Sequence, residues 1–276
     1  MNSRKFEISA DFLEVQGRRL FYLLLTPNEQ KIRGSVLYLP PFAEEMQLSR
    51  RSVSVQARLL AEVGYCVMLL DLTGCGDAAG EFIDASWEKW LGDVHGAADH
   101  LLSLSGSESL NLWGLRLGGL LAAQVAVERS DISRLLLWQP VLNGEQQVDQ
   151  FLRLQVAADV LAGDVNIVRS DLWGKLRDGE SLEIAGYDLT PDLALPMSGV
   201  RLATLLPSCP VEWFEVAAVA ATELSVAGQR SATRWREEGV DVRTKRLVGE
   251  PFWRNLDASA SSQLLESTLA AMEQVS

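Results

Sequence analysis

The sequence of 276 residues has little histidine and little cysteine. It contains two histidines, His95 and His100, and three cysteines, Cys66, Cys75 and Cys209. The cysteines are odd in number and have no paired spacing, which argues against a disulfide framework and favours a reducing, cytoplasmic compartment. Because no cluster of His, Cys and Asp has the spacing of metal ligands, neither a metal site nor another cofactor is expected.

The chain also lacks an excess of basic residues and lacks long apolar runs. It has 25 Lys and Arg against 37 Asp and Glu, a formal net charge of -12. Nucleic acids and anionic membranes would repel such a chain, so neither is expected as a partner. An apolar run such as Tyr65 to Leu70 is far too short for a transmembrane segment. Residues 1–11 alternate polar and apolar side chains, which predicts no signal peptide.

Segments with strand and helix patterns alternate along the chain. Strands are predicted at 19–25, 35–39, 65–72, 110–113, 132–138, 210–216 and 240–248, and helices at 51–63, 86–104, 117–128, 146–161, 222–238 and 258–272. Alternation of this kind indicates an α/β fold with a doubly wound, mostly parallel sheet. We expect residues 1–276 to form one domain.

Residues 141–207 interrupt this alternation, and we call them the lid segment. After a predicted helix at 146–161 they contain scattered Gly and Pro, and the stretch is expected to be irregular. Insertions in α/β domains usually lie over the carboxyl edge of the sheet, where ligands bind. The helix carries an apolar row, and Trp173 and Tyr187 follow it; the row consists of Phe151, Leu152, Leu154, Val156 and Leu161. We expect the row to pack on the core as a lid; the alternative is a docking surface for a protein partner.

The segment Trp113-Gly114-Leu115-Arg116-Leu117-Gly118 is the most informative motif. It follows a short predicted strand and precedes a helix, with glycines two residues on either side of Arg116. A sharp strand-to-helix turn needs small residues at those positions, because the helix and the strand approach each other closely there. The motif therefore predicts a nucleophile elbow whose central residue is Arg116.

Four segments together resemble the α/β-hydrolase superfamily over the whole chain. They are the elbow, the loop Asp71-Leu72-Thr73-Gly74-Cys75-Gly76-Asp77-Ala78-Ala79-Gly80, the segment Pro40-Pro41-Phe42-Ala43-Glu44-Glu45-Met46 and the segment Trp138-Gln139-Pro140-Val141. More narrowly, the chain is similar to the exosortase A system-associated hydrolase 2 family, encoded with exopolysaccharide clusters. The resemblance implies a hydrolase of esters, thioesters or amides. Such an enzyme uses a serine nucleophile, a histidine base, an acid and two backbone oxyanion donors.

The resemblance places unsuitable residues at two of these positions. Arg116 stands at the nucleophile position and has no attacking atom, and Glu250 stands where the histidine should follow the last strand. The acid would be Glu215 or Glu223. His95 and His100 fall on the predicted helix at 86–104 and are expected at the surface. The oxyanion donors would be the backbone amides of Phe42 and Leu117, because Pro41 has no N–H.

Several roles remain open for these residues. Arg116 and Glu250 could form an ion pair that fills a disused site, or Arg116 could bind the anionic group of a small-molecule or acyl ligand under the lid. Glu44, Glu45 or Glu250 could activate water as a general base. Cys75 is a weaker alternative nucleophile, since no histidine is near it in sequence. The function is therefore either that of a hydrolase lacking the usual Ser and His, or that of a non-catalytic binding or accessory protein, with a partner in an envelope or polysaccharide pathway.

Overall fold

The computed structural model describes residues 5–28, 32–161, 168–219 and 223–273. The strands are β1 (Phe6–Val15), β2 (Arg18–Pro27), β3 (Gly34–Leu39), β4 (Tyr65–Leu70), β5 (Leu110–Leu115), β6 (Ile132–Trp138), β7 (Leu182–Ile184), β8 (Tyr187–Leu189), β9 (Val211–Ala217) and β10 (Val242–Val248). The α-helices are α1 (Glu44–Glu62), α2 (Trp87–Ser105), α3 (Leu117–Glu128), α4 (Gly144–Leu161), α5 (Arg169–Arg177), α6 (Pro191–Gly199), α7 (Val226–Glu237) and α8 (Ser262–Glu273).

Within these described ranges, eight strands form one sheet in the order β1-β2-β4-β3-β5-β6-β9-β10. In this sheet β4, β3, β5, β6, β9 and β10 are parallel to one another. Strands β1 and β2 are antiparallel to their neighbours. Parallel strands require helical crossovers, which cover both faces of a sheet. The doubly wound, mostly parallel sheet predicted from the sequence is therefore confirmed.

Alternate residues of each central strand enter two hydrophobic cores on opposite faces of the sheet. On one face Leu37 and Leu112 pack among apolar residues of α2, α3 and α4. On the other face Tyr38 and Trp113 pack among apolar residues of α1 and α8. These central strands are buried on both faces, which explains their continuous apolar sequences.

The lid segment is more regular than its sequence suggested. It contains α4, α5, the antiparallel hairpin β7–β8 and α6, so the expectation of an irregular stretch after α4 was wrong. Pro191 explains part of the error, because proline is compatible with the first turn of a helix and there it begins α6. Of the apolar row on α4, Phe151 and Leu152 are buried, whereas Leu154 and Leu161 are exposed.

Two helix starts also differ from their predicted positions. The final helix begins at Ser262 rather than at residue 258, and the predicted start at Thr222 lies outside the described residues, with α7 beginning at Val226. Both helices begin after a serine whose hydroxyl accepts a backbone N–H of the first turn, Ser225 before α7 and Ser261 before α8. These serines therefore act as N-caps.

Candidate functional site

Arg116 lies at the tip of the turn between β5 and α3, with φ +55° and ψ -116°. This backbone conformation is unfavourable for a residue with a side chain and is kept only where its surroundings enforce it. Its amide donates to the carbonyl of Trp138 at 3.0 Å, and its carbonyl accepts from the amides of Gly119 and Val141 at 3.0 Å. The structure therefore has a sharp turn centred on Arg116 between β5 and α3, where the sequence predicted one, and its backbone at Arg116 is strained.

The glycines on either side of Arg116 allow the close approach of backbone that the turn requires. A Cβ on Gly114 would overlap the carbonyl of Gly118, and a Cβ on Gly118 would overlap the carbonyls of Leu39 and Pro40. The predicted reason for this spacing, that the helix and strand approach too closely for side chains, is thus confirmed.

The guanidinium of Arg116 pairs with Glu45, not with Glu250. Its Nε donates to Glu45 Oε1 at 3.1 Å, and the two side chains are only 11% and 10% exposed. Glu250 is exposed in the loop after β10 and forms no ion pair within the described residues. The ion pair between Arg116 and Glu250 that the sequence suggested is therefore wrong. The reason is the start of α1. This helix begins at Glu44 rather than at residue 51, and its first turn carries Glu45 to the elbow.

Burial acts on the ionisation of Glu45. Loss of solvation raises the pKa of its carboxyl group, and the neighbouring charge of Arg116 opposes that rise. Glu45 Oε1 accepts from Arg116, whereas Glu45 Oε2 is buried and has no hydrogen-bond partner in the described part of the chain. The site therefore contains a carboxyl group with a hydrogen-bond partner for only one of its two oxygens.

Trp253 lies in the loop after β10, three residues beyond Glu250, and lines a cleft beside Arg116. It is 4% exposed, and the Cζ of Arg116 lies 5.7 Å from the centroid of its ring. Its ring also packs edge-on against Phe252, at a centroid distance of 5.1 Å. The sequence analysis did not single out Trp253; the signal available was the pair of aromatic residues Phe252 and Trp253, four and five residues after the end of the last strand.

Two clefts lie at this edge of the sheet beneath α4. The first, which we call the outer cleft, has a volume of about 290 Å³ and is lined by Phe42, Glu44, Glu45, Leu48, Gln147, Gln150, Phe151, Leu154, Trp253 and Arg254. The second, the elbow cleft, has a volume of about 160 Å³ and is lined by Arg116, Gln139, Pro140, Val141, Leu142, Asn143, Gln146, Gln147, Gln150, Glu215 and Ser225. Gln147 and Gln150 of α4 line both clefts. Glu44 and Glu45 line the outer cleft, and Glu250 lines neither cleft.

The backbone amides of Phe42 and Leu117, which the sequence analysis predicts as oxyanion donors, lie at the turns before α1 and α3. Neither amide donates a backbone hydrogen bond among the described residues. Phe42 precedes Ala43, whose φ of +50° and ψ of -128° resemble those of Arg116, and Leu117 is the first residue of α3. The two turns are therefore built alike, one before α1 and one before α3.

The remaining triad candidates do not assemble. Glu215 is buried at the end of β9 and accepts from the backbone amide and the hydroxyl of Ser225 at 2.6 and 3.0 Å, while Glu223 is exposed. Both histidines of the chain lie on α2, where His95 pairs with Glu128 at 2.8 Å and His100 contacts the Tyr22 hydroxyl at 3.2 Å. Neither histidine lines either cleft.

The three thiols have raised pKa values, which bears on Cys75 as an alternative nucleophile. Burial raises the pKa of Cys66 and Cys209 to about 11, and burial together with the charge of Asp71 raises that of Cys75 to about 12. A thiol must ionise in order to react. We expect 5,5′-dithiobis(2-nitrobenzoate) at pH 7.5 to label the native protein at least about 100-fold more slowly than the urea-unfolded protein. Rapid labelling of Cys75 in the native state, located by peptide mass mapping, would contradict this.

Within the described ranges no group of three or more His, Cys, Asp and Glu side chains is placed to hold a metal ion. No helix in those ranges is both long enough and apolar enough to cross a bilayer.

Comparison with known proteins adds a family and a fold. The model of the family described as serine aminopeptidase, S33, matches residues 30–178, just over half of the chain. Est1E from Butyrivibrio proteoclasticus, solved with ferulic acid bound, superposes with a TM-score of 0.68 at 17% identity, over 96% of this chain and 97% of that one. A putative hydrolase from Agrobacterium vitis S4 gives 0.64 at 18% identity over 98% of both chains, and the proline iminopeptidase of Mycobacterium smegmatis gives 0.60 at 15% over 96% and 97%. No curated protein matches the sequence. At these identities the solved structures support the fold alone.

Proposed function

The chain belongs to the serine aminopeptidase S33 family within the α/β-hydrolase superfamily, and we propose that it is a member that binds a ligand without hydrolysing it. One observation carries this proposal. The residue at the nucleophile position, Arg116, is held in a buried ion pair with Glu45 at 3.1 Å. We further propose that the ligand is a small molecule that binds beneath α4, which acts as a lid.

The chemistry of the family explains why the pair matters. Acyl transfer at an elbow requires an atom that attacks the carbonyl and a base that takes its proton. A guanidinium remains protonated and offers no lone pair for attack. Glu250 stands at the histidine position but is exposed and lines neither cleft. The two amides at Phe42 and Leu117 could still polarise a carbonyl, which favours retained binding over retained turnover.

A specific observation favours a second candidate, hydrolysis by carboxylate. Glu45 is buried beside the outer cleft, its pKa is raised, and Oε2 has no partner within the described residues. Carboxyl groups with raised pKa values serve as general bases near neutral pH. In this reaction Glu45 would accept a proton from water while the water oxygen attacks the carbonyl of an ester, and would return that proton to the alcohol that leaves as the ester C–O bond breaks. The ion pair with Arg116 weakens this candidate, because it stabilises the ionised carboxylate and reduces its basicity.

We expect the purified protein to be unlabelled by a fluorophosphonate probe and to release no chromophore from p-nitrophenyl acetate, p-nitrophenyl butyrate or proline p-nitroanilide above the rate without protein. An active serine hydrolase of the same fold serves as the positive control. Probe labelling, or turnover that Arg116→Ala leaves unchanged, would contradict the binding proposal. Turnover without labelling that Glu45→Gln abolishes would establish the carboxylate reaction instead.

We also propose that the protein acts in the cytoplasm as an accessory component of an exosortase or exopolysaccharide system, as its sequence motifs imply. The free thiols of Cys66, Cys75 and Cys209 support a reducing compartment. The exposed Leu154, Val160 and Leu161 on α4 support a contact with a protein partner.

A further inference from the structure

Two buried polar atoms of residues that line the outer cleft lack hydrogen-bond partners among the described residues. Glu45 Oε2 and Trp253 Nε1 are buried and unpaired. Gln147 is a third largely buried polar residue here, with 7% of its surface exposed. All three residues line the outer cleft. Buried polar atoms without partners are costly, so two of them beside one cleft indicate a ligand that supplies the missing bonds.

These groups specify the hydrogen bonds that such a ligand must form. Trp253 can only donate, the ionised carboxylate of Glu45 can only accept, and the carboxamide of Gln147 can do both. A ligand that satisfies all three therefore needs both donors and acceptors. Hydroxyl groups provide both at each oxygen.

The charges around the outer cleft disfavour an anion. Glu44 and Glu45 line it together with Arg254, and the charge of Arg116 is already balanced by Glu45. An anionic ligand would have to approach two carboxylates, and no unpaired cation other than Arg254 lines the cleft among the described residues. This argues against the carboxylate or phosphate ligand that Arg116 suggested from the sequence.

The size and apolar walls of the outer cleft restrict the ligand further. Its volume of about 290 Å³ is near the lower limit for small-molecule pockets, roughly 300–1,000 Å³. Phe42 and Phe151 pack edge to face at a centroid distance of 4.9 Å and line one side of it. Aromatic side chains can contact the C–H groups of a ligand while neighbouring polar groups bind its oxygens.

We infer that the outer cleft binds a neutral polyhydroxylated ligand of one or two sugar rings, with hydroxyls that accept from Trp253 Nε1 and donate to Glu45 Oε2. Gln147 of α4 binds a further hydroxyl. The assignment rests on the proposed binding function and names its ligand class. Arg116 is then a positioning residue, because it holds Glu45 Oε1 and leaves Oε2 for the ligand.

The test uses the full chain labelled with ¹⁵N-tryptophan, so that each of its eight tryptophans gives one indole N–H signal. Trp253→Phe identifies the signal of Trp253, and Trp213→Phe, which alters another buried indole without a partner in the described chain, is the matched control. Methyl glucoside, methyl galactoside, N-acetylglucosamine, maltose and lactose are titrated, with glucuronate, glucose 1-phosphate and ferulate as anionic comparisons. We expect at least one neutral sugar to shift the Trp253 signal.

Calorimetry on the same variants measures affinity. For a sugar that shifts the signal, we expect Trp253→Phe and Gln147→Leu each to weaken binding by about tenfold, the size of one lost hydrogen bond. Trp213→Phe should leave affinity within about twofold. If no neutral sugar shifts the Trp253 signal, or if Trp253→Phe and Trp213→Phe bind equally well, the inference is overturned. Binding of ferulate or glucuronate in place of neutral sugars would overturn the proposed ligand class but not the proposed non-hydrolytic binding function. Turnover of an ester would contradict the binding function itself.

Discussion

Replacing Gly118 by alanine is expected to destabilise the protein by roughly 3 kcal/mol, enough to threaten the fold at 37 °C. The added Cβ would overlap the carbonyl oxygens of Leu39 and Pro40. Both are backbone atoms at the end of β3, and β3 pairs with β4 on one side and β5 on the other. A central strand held on both sides cannot move away without breaking its own hydrogen bonds.

Urea unfolding followed by tryptophan fluorescence measures the effect as a shift of the midpoint. Gly174→Ala is the matched control, because Gly174 is also helical and a Cβ there meets no atom within 4 Å. That control is expected to be neutral or to stabilise by up to about 1 kcal/mol, since alanine favours helix. Equal midpoints for the two variants would show that the elbow does not need glycine, and would remove the steric explanation of the motif.

The sequence predicted best those strands whose side chains are buried on both faces of the sheet. β4 and β6 are buried along almost their whole length, and their continuous apolar sequences locate them directly. β1 was missed although its polar and apolar side chains alternate; six consecutive residues, Glu7 to Phe12, are exposed, so it lacks the continuous apolar sequence of the buried strands. It exists because β2 supplies a partner for every one of its residues.

The early start of α1 shows why the site was harder to predict than the fold. The buried face of this helix includes Glu45, Ser49, Ser52 and Gln56, so polar residues lie where an apolar period would be expected. The sequence pattern became recognisably helical only at residue 51. The sequence therefore did not predict the first turn of α1, which reaches the elbow, and so it did not identify Glu45 as the partner of Arg116.

Sequence reasoning did locate the turn itself. Glycines at 114 and 118, between a strand and a helix, indicate a sharp turn centred on residue 116, and Arg116 has the positive φ of such a turn. Side-chain partners across the turn depend instead on tertiary contacts between segments far apart in the chain, such as Glu45, Arg116 and Trp253. No local pattern encodes those contacts, so Glu250 was chosen by its place after the last strand.

Removing the side chain of Arg116 is expected to destabilise the protein by about 3 kcal/mol at pH 8, because it leaves the buried carboxylate of Glu45 without its counter-charge. Burial already raises the folded-state pKa of Glu45, and Arg116 lowers it. A raised folded-state pKa gives stability that is full below the unfolded pKa and is lost as pH rises through the folded one. Arg116→Ala raises that pKa further, so its loss of stability should be small near pH 4.5 and grow toward pH 8.

Urea midpoints at pH 4.5, 6 and 8 measure this dependence. Arg169→Ala is the control, since Arg169 pairs with Asp149 while 44% exposed and should change stability by about 0.5 kcal/mol or less. In the Arg116→Ala background, Glu45→Gln removes the charge and should restore most of the stability lost at pH 8, with little change at pH 4.5. If Arg116→Ala loses the same amount at every pH, or if Glu45→Gln restores nothing, the ion pair is not what holds this site, because a lost charge partner must act through the ionised carboxylate.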